Sequence, residues 1–360
     1  MVSRAGVNRR PACQRRRPLA SRRPALLLFT LVLFPALLAG QPRSVITGKV
    51  VDAESGKALE FVNVFLANTT RGSATGENGR YRLAGIPPGV YRLVASRVGY
   101  DVGVIRLQIT GDDTMRQDFR LTARQIRSDE VEVLAEGESE WRRTLRLFEE
   151  QFLGTDPFAG DARIENPEVL DFRRDSTGAL IASTDSVLRV LNEGLGYRLH
   201  IDLVEFSWND TSRAVSYVLY VRFEDIAPAD SDDAREIFRN RKEAYRGSLR
   251  HFLHSLATRR LGQEAFMVFD QAGATIGPGG RGLVFDAESG FKKVLYGGVL
   301  RVEYRGSTRV RNNLIRFATG IIILDPSGTP TESQDLIIDP SSAWAGDRVA
   351  RMVPVDFELE

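Results

Sequence analysis

The chain has three histidines. Two of them, His251 and His254, lie three apart in "SLRHFLHSLATRRLG". On a helix that spacing puts both imidazoles on one face, where a metal ion could bridge them. Such a site needs two more ligands. Glu264, Asp270 and Asp286 are close in sequence, but no regular spacing ties them to the pair. One histidine in the core and one at the surface is the plainer reading. Ser248, three residues before His251, could act as a nucleophile beside a base. Its place ahead of an apolar-periodic run suits a helix N-cap better, and no G-x-S-x-G elbow surrounds it. Two function classes therefore stand: a hydrolase, metal-dependent or not, with a site around His251 and His254, and a binding protein without catalysis.

The same region carries a basic run: Arg235, Arg239, Arg241, Lys242, Arg246, Arg250, Arg259 and Arg260. Guanidinium groups in such density could meet lipid phosphate or an acidic glycan. They could equally form a solvated helix face paired with Asp232, Asp233, Glu236 and Glu243. Arg246, Arg250, His251 and His254 are the candidate contact residues for a ligand. "QAGATIGPGGRG" at 271–282 is rich in glycine but lacks a following Lys-Ser/Thr, so it reads as a flexible hairpin tip and not as a phosphate loop. No metal or cofactor is expected.

These residues need elements to position them. "ESEWRRTLRLFEEQF" predicts a helix from Glu138, with Trp141, Leu145, Phe148 and Phe152 on one stripe, Ser139 as its cap and Gly154 at its end. Residues 232–262 predict two helices broken near Gly247, with Ser248 capping the second and Gly262 ending it. "YRLHIDLVEFSW" and "AVSYVLYVRFED" alternate well and are joined by a polar turn, so they predict a hairpin. Strands are also expected in "PEVLDFRR", "ALIAST", "SVLRVLN", "AFMVFD", "GLVFD", "GVLRVEYR", "NLIRFATGIIILD" and the last stretch "RVARMVPVDFEL". This is an α+β pattern with a mostly antiparallel sheet.

Residues 44 to about 122 read differently, as seven short strands punctuated by turns, which is the pattern of a β-sandwich. Gly56 closes a turn, Asn78-Gly79 is a hairpin signal, and Pro88-Gly89 fits a type II turn with Gly89 at positive φ. These turns, with Gly56, Asn78, Gly79, Pro88 and Gly89, are expected to specify the fold and not to form a site.

The motifs resemble those of the carboxypeptidase regulatory-like domain, a transthyretin-like sandwich. They are Gly48, Val50, Asp52 and Gly56; Thr75 and Gly79; Pro87, Gly89, Tyr91 and Leu93; and Ser96, Gly99 and Tyr100. The later part, from "WRR" through "NPEVLDF" and "LNEGLGY" to "YRGSLRHFLHSLATRRLGQEAF", is similar to the uncharacterised region that follows this sandwich in cell-envelope proteins of the Bacteroidota. In relatives the sandwich accompanies a zinc peptidase or precedes the plug of an outer-membrane receptor. Here no histidine has Glu three residues on; Leu203, His254 and Ala257 stand there instead. "SDEVEV" at Ser128 is similar to the strand leading into a plug, but about 230 residues cannot hold a plug and a large barrel. By analogy the partner is an outer-membrane or periplasmic protein, or a glycan.

The first 40 residues set the expected address. Eight arginines and no acid precede "ALLLFTLVLFPALLAG", which predicts an export signal, either cleaved or retained as an anchor. Gln41 stands where a lipoprotein signal needs Cys, so lipidation is not expected. The whole chain carries 49 basic and 47 acidic side chains, a net charge of +2. Without the signal it is −6, which argues against nucleic acid as a partner. The only cysteine, Cys13, lies in the signal, so no disulfide is expected beyond it. The expected organisation is a signal peptide over 1–40, the sandwich over 41–123, a linker over 124–138 and an α+β domain over 139–360, in the periplasm or at the outer membrane.

Overall fold

A computed structural model describes residues 43–111, 114–124, 138–229, 231–332 and 336–357. The expected export signal, and residues 125–137 of the expected linker, lie outside them. Residues 41–360 form one compact unit. Among the described residues no helix is long and apolar enough to cross a membrane.

The N-terminal part is a β-sandwich. Its strands are β1 (Ser44–Asp52), β2 (Asn63–Leu66), β3 (Gly72–Ala74), β4 (Arg80–Ile86), β5 (Gly89–Ser96), β6 (Gly103–Ile109), β7 (Thr114–Arg116) and β8 (Phe119–Leu121). One sheet has the order β4-β1-β7 with β8 also on β1; the other runs β3-β2-β5-β6. Eight strands stand where seven were expected, the last expected strand being broken at Gln117-Asp118. There the Asp118 carboxylate accepts the Lys49 amide at 2.8 Å. Ile46, Val64, Leu66, Tyr81, Leu83, Leu93 and Ala95 fill the space between the sheets. The alternation that places them is legible in β4, where Tyr81 and Leu83 are buried and Arg80 and Arg82 exposed.

Two of the expected turns differ in kind. Asn78-Gly79 joins β3 to β4, which lie in opposite sheets, so it crosses the sandwich and closes no hairpin. The reason is Thr75, whose buried hydroxyl donates to the Leu59 carbonyl at 2.7 Å and accepts the Val62 amide at 2.9 Å. That anchor ends the pairing of β3 and sends the chain across. Pro88-Gly89 likewise crosses between sheets, and Gly89 is not at positive φ: it opens β5. Pro87 and Pro88 have no amide hydrogen to offer a hairpin ladder. Gly89 instead sits at a close approach, where a Cβ would lie 3.2 Å from the Tyr91 ring and 3.3 Å from Asp325 Oδ2. Gly56 does take positive φ, +68°, after Asp52 accepts the Ser55 amide at 2.7 Å.

Helix α1 (Glu138–Leu153) follows, with Ser139 inside its first turn and Gly154 at φ +100° just past its end. Phe148 and Phe152 stack at 4.7 Å and are fully buried. They cover one face of a six-stranded sheet made of β9 (Ala162–Ile164), β10 (Leu170–Arg174), β11 (Leu180–Thr184), β12 (Leu188–Asn192), β13 (Tyr197–Asn209) and β14 (Ala214–Asp225). The order is β10-β11-β13-β12-β9, and β14 pairs along the other edge of β13 as the expected hairpin. A register shift between Leu203 and Glu205 leaves Val204 as a bulge.

Helices α2 (Asp232–Tyr245) and α3 (Leu249–Ala257) come next. The α3 helix ends five residues before the expected Gly262, with Arg259 at φ +59° beyond it. Its apolar face packs on β15 (Phe266–Phe269), β16 (Thr275–Ile276), β17 (Val284–Asp286), β18 (Lys292–Leu295), β19 (Val299–Tyr304), β20 (Arg311–Phe317), β21 (Ile321–Leu324) and β22 (Leu336–Ile338). These form a five-stranded sheet, β16-β15-β19-β20-β22, and a three-stranded one, β17-β18-β21. All of these pairs are antiparallel. The last stretch, expected as a strand, is a short 3₁₀ turn (Val349–Arg351) followed by extended chain. Side chains take its polar groups in place of a ladder: Arg250 donates to the carbonyls of Pro354 at 2.6 Å and of Phe357 at 3.1 Å.

Gly79, at φ +72°, has a carbonyl in the way of any side chain: a Cβ would lie 2.5 Å from Val50 O. Gly79→Val combines this clash with left-handed strain and is expected to cost more than about 2 kcal/mol. A thermal melt unchanged from wild type would show that the Val50 backbone can move aside.

Candidate ligand cleft between the sandwich and the α+β body

The residues suggested by the sequence do not converge on one site. His251 Nδ1 accepts the Gly247 amide hydrogen at 3.0 Å, and Nε2 faces Glu264 Oε2 at 3.3 Å. An imidazole that accepts at Nδ1 and donates at Nε2 has no lone pair left for a metal. The ring packs against Tyr245 and Phe266, each at 4.9 Å, and burial pulls its pKa below the usual histidine value. His254 turns to a different partner, with Nδ1 2.9 Å from the Ser327 carbonyl, which fixes Nδ1 as its donor. Ser248 Oγ accepts the His251 backbone amide at 3.1 Å, the N-cap geometry, and does not engage the ring. No cluster of three metal-ligating side chains occurs among the described residues.

The basic run is largely engaged. Arg235 pairs with Asp232 at 2.6 Å, Arg259 with Asp286 at 3.0 Å and Arg260 with Glu264 at 3.5 Å. Arg241 is buried against Asp225 at 2.7 Å and stacks 3.8 Å over Tyr197. Apart from Asp232 these partners come from other elements, not from the acids of α2. Arg250 is committed to backbone carbonyls, and Arg246 caps α2 through its backbone with its side chain exposed. The glycine-rich loop contains β16 and folds as a hairpin against β15.

A different place gathers unexplained side chains. The outward face of β2 and β5 carries Phe65, Val94 and Ser96, all buried although they point away from the sandwich core. The body lies over them. Asn68 donates its amide to Val221 O at 2.6 Å, and Phe223 donates to Thr69 O at 2.9 Å, so the β2–β3 turn is bonded to the free edge of β14. Beyond this seam the two surfaces diverge and leave a cleft of about 740 Å³.

Ten large apolar side chains stand exposed among the described residues, and five line this cleft: Phe61 (71% exposed), Val98 (68%), Val218 (52%), Val204 (49%) and Val104 (39%). Apolar groups scattered singly need no explanation, but half of them in one concavity do. Two are held outward by the backbone. Phe61 sits at φ +57°, a region costly for a bulky residue, and its amide is tied to Thr75 O at 3.0 Å. Val204 is the bulge residue of β13, the device by which a strand re-aims a side chain.

At the floor of the cleft Asp202 accepts a hydrogen bond from Ser96 Oγ across the seam. Burial raises the Asp202 pKa to about 6, against the opposing pull of Ser96 and of the Arg124 charge. Arg124 lies at the rim, 3.5 Å from Asp101 and 3.6 Å from Asp185. Tyr100 and Tyr220 add ring faces. The arrangement offers apolar walls with a few directed polar groups, the make-up of a binding site.

Sequence reasoning passed over these residues. Phe61 reads as part of strand "EFVNVFLA", whereas β2 begins two residues later. Val204 did leave a signal: the buried positions of β13 run Tyr197, Leu199, Ile201, Leu203 and then Phe206, Trp208, a one-residue slip in phase that marks a bulge.

Asp202 binds a proton more tightly in the folded chain than at its ordinary value of 3.8. Stability is therefore greatest with the carboxyl protonated and falls as pH rises through about 6. Asp202→Asn keeps an acceptor for Ser96 and removes the charge. It is expected to melt higher than wild type at pH 7, by on the order of 2 kcal/mol, with the gap closing toward pH 4. Paired denaturant titrations at both pH values check this, and a pH-independent gap would remove Asp202 as the cause.

Several solved structures are similar to part of this chain at a low level. An interface mutant of a type II cohesin–X-dockerin complex from Acetivibrio cellulolyticus is 17% identical over 22% of this chain and 58% of its own, with a TM-score of 0.20. The 3-chlorocatechol 1,2-dioxygenase of Rhodococcus opacus is 16% identical over 23% of this chain and 61% of its own, at 0.19. A minor pilin of Streptococcus agalactiae is 18% identical over 23% of this chain and 45% of its own, at 0.20. The chain thus spans less than two thirds of each, and likeness at this level carries no functional argument. No curated protein matches the sequence significantly. Residues 46–133 match the model of the CarboxypepD_reg-like domain. The matched residues take in nearly all of the two-sheeted N-terminal sandwich, so it is this part of the chain that is similar to the carboxypeptidase regulatory-like domain.

Proposed function

We propose that this chain is a non-catalytic binding protein of the cell envelope, exported by its N-terminal segment. It would hold a partner protein through an extended segment laid in the cleft between the sandwich and the body. The observation that carries this reading is Phe61: a bulky apolar side chain kept in solvent by a left-handed backbone at the mouth of a valine-lined cleft. Strain of this kind persists where the surroundings over-determine it, and such positions cluster at ligand clamps. Aliphatic walls suit the side chains of a polypeptide, and Ser96, Asp202 and Arg124 offer partners for its backbone and polar groups. The export segment supplies the address, and the net charge of −6 without it disfavours nucleic acid. A glycan is the second reading, favoured by the ring faces of Tyr100 and Tyr220 and by the carboxylates of Asp101 and Asp185 beside Arg124.

Phe61→Gly separates stability from function. Glycine adopts φ +57° without strain, and little buried area is lost, so the variant is expected to be as stable as wild type or about 1 kcal/mol more stable. Capture of the partner is expected to fall roughly tenfold or more. A photo-reactive residue at Val218, cross-linked in intact cells, identifies the partner. One dominant envelope protein, lost in Phe61→Gly, supports the reading. Undiminished capture by Phe61→Gly would move the site elsewhere, and saturable binding on a glycan array with no cross-linked protein would favour the second reading.

A further inference from the structure

A second cleft, of about 940 Å³, opens on another side of β14, between residues 214–217, the start of α3, β22 and the stretch 344–355. Its walls are half-buried apolar side chains, among them Val215, Tyr217, Leu249, Leu336, Ile338 and Met352. Four guanidinium groups line it, those of Arg213, Arg250, Arg348 and Arg351, against one carboxylate, Asp347. Asp347 is already taken by Arg311 at 2.6 Å and Arg351 at 3.5 Å, and Arg351 also faces Asp156 at 3.7 Å, so the charge left over lies at Arg213 and Arg348. Among the described residues, Arg348 bonds only the Ala345 carbonyl, and Arg250 bonds only carbonyls. No hydrogen bond or ion pair of the Arg213 side chain occurs among them. Arg213 is also held at φ +56° in the β13–β14 turn at the cleft mouth.

The lining thus joins an apolar trough to positive charge in excess. Arg213 stands exposed and Arg348 half-buried beside this apolar wall, so an anion that carries an apolar chain can meet the charge and cover the wall at once. A hydrophilic anion such as phosphate would leave the apolar wall wet; a neutral alkyl chain would leave the guanidiniums unpaired. From this charge complementarity we infer that the trough binds a long-chain acyl carboxylate, the chain lying along Leu336, Ile338 and Val215 and the carboxylate meeting Arg348 and Arg213. The site is independent of the cleft that holds Phe61.

The test uses the whole exported chain and palmitate, read by displacement of a fluorescent fatty acid. Saturable binding is expected, stronger for palmitate than for octanoate. Hexadecanol, of the same chain length without the charge, is expected to bind at least roughly tenfold more weakly. Arg213→Asn removes one charge and suits the left-handed turn, so the fold is kept; it is expected to weaken palmitate several-fold, and Arg348→Gln to do so further. Failure to displace the probe, equal affinity for hexadecanol, or palmitate binding unchanged in both variants would each overturn the inference. So would tight binding of an acidic, apolar peptide with none of palmitate, which would make the trough a polypeptide site.

Discussion

The bond between the β2–β3 turn and the edge of β14 organises the rest of the molecule. An open sheet edge presents unpaired amides and carbonyls, and here the Asn68 and Thr69 backbone satisfies those of Val221 and Phe223. The turn is itself held from the far side. Val355 donates to Asn68 O at 2.7 Å, Asp356 accepts the Thr70 amide at 3.0 Å, and Arg250 fixes the carbonyls around them. Arg250 is a half-buried cation whose bonds are all to carbonyls, so its removal would strand several acceptors at once. Sandwich, body and residues 354–357 therefore meet at one point, and Phe65 and Val94 are dry because of it.

Once that seam is fixed, the geometry on either side follows. The β13–β14 hairpin is long, with strands of 13 and 12 residues, and the sandwich bonds to its edge through the Asn68 and Thr69 backbone. The outward surfaces separate beyond the contact, and the wedge between them is where Phe61, Val98, Val204 and Val218 stand exposed. Asp202 sits where the wedge closes, so its charge is a property of the junction and not of either part alone. The other trough arises where β14 runs on past the turn toward β22. One strand thus borders both concavities, its alternate side chains divided between them: Val218 and Tyr220 to one, Val215 and Tyr217 to the other.

Much of this frame was legible in the sequence, because it is set by local chemistry. The stripe of α1, the alternation of β4, the hairpin of β13 and β14 and the Ser248 cap all follow from period and residue type. What was not legible depends on distant partners. A hydroxyl from Thr75 turns an apparent hairpin into a crossing, and the start of β5 is held by Asp325, which accepts the Val90 amide from 235 positions away. The final apolar alternation is the same whether its carbonyls meet a strand or the guanidinium of Arg250. The histidine pair misled for a related reason. Helical spacing fixes the directions of side chains but not which atoms already face them, and both rings were engaged by residues that spacing does not reveal.

The docking seam also has a meaning in time. Thr70 and the carboxylate it binds are 286 positions apart. The sandwich contains its own core and its own pairing, so it can form while the chain is still being extended. Its outward face cannot be covered then, because the segment that locks the β2–β3 turn in place has yet to be made. A nascent chain therefore carries a folded domain with an apolar side, Phe65 and Val94 foremost, open to whatever else is present.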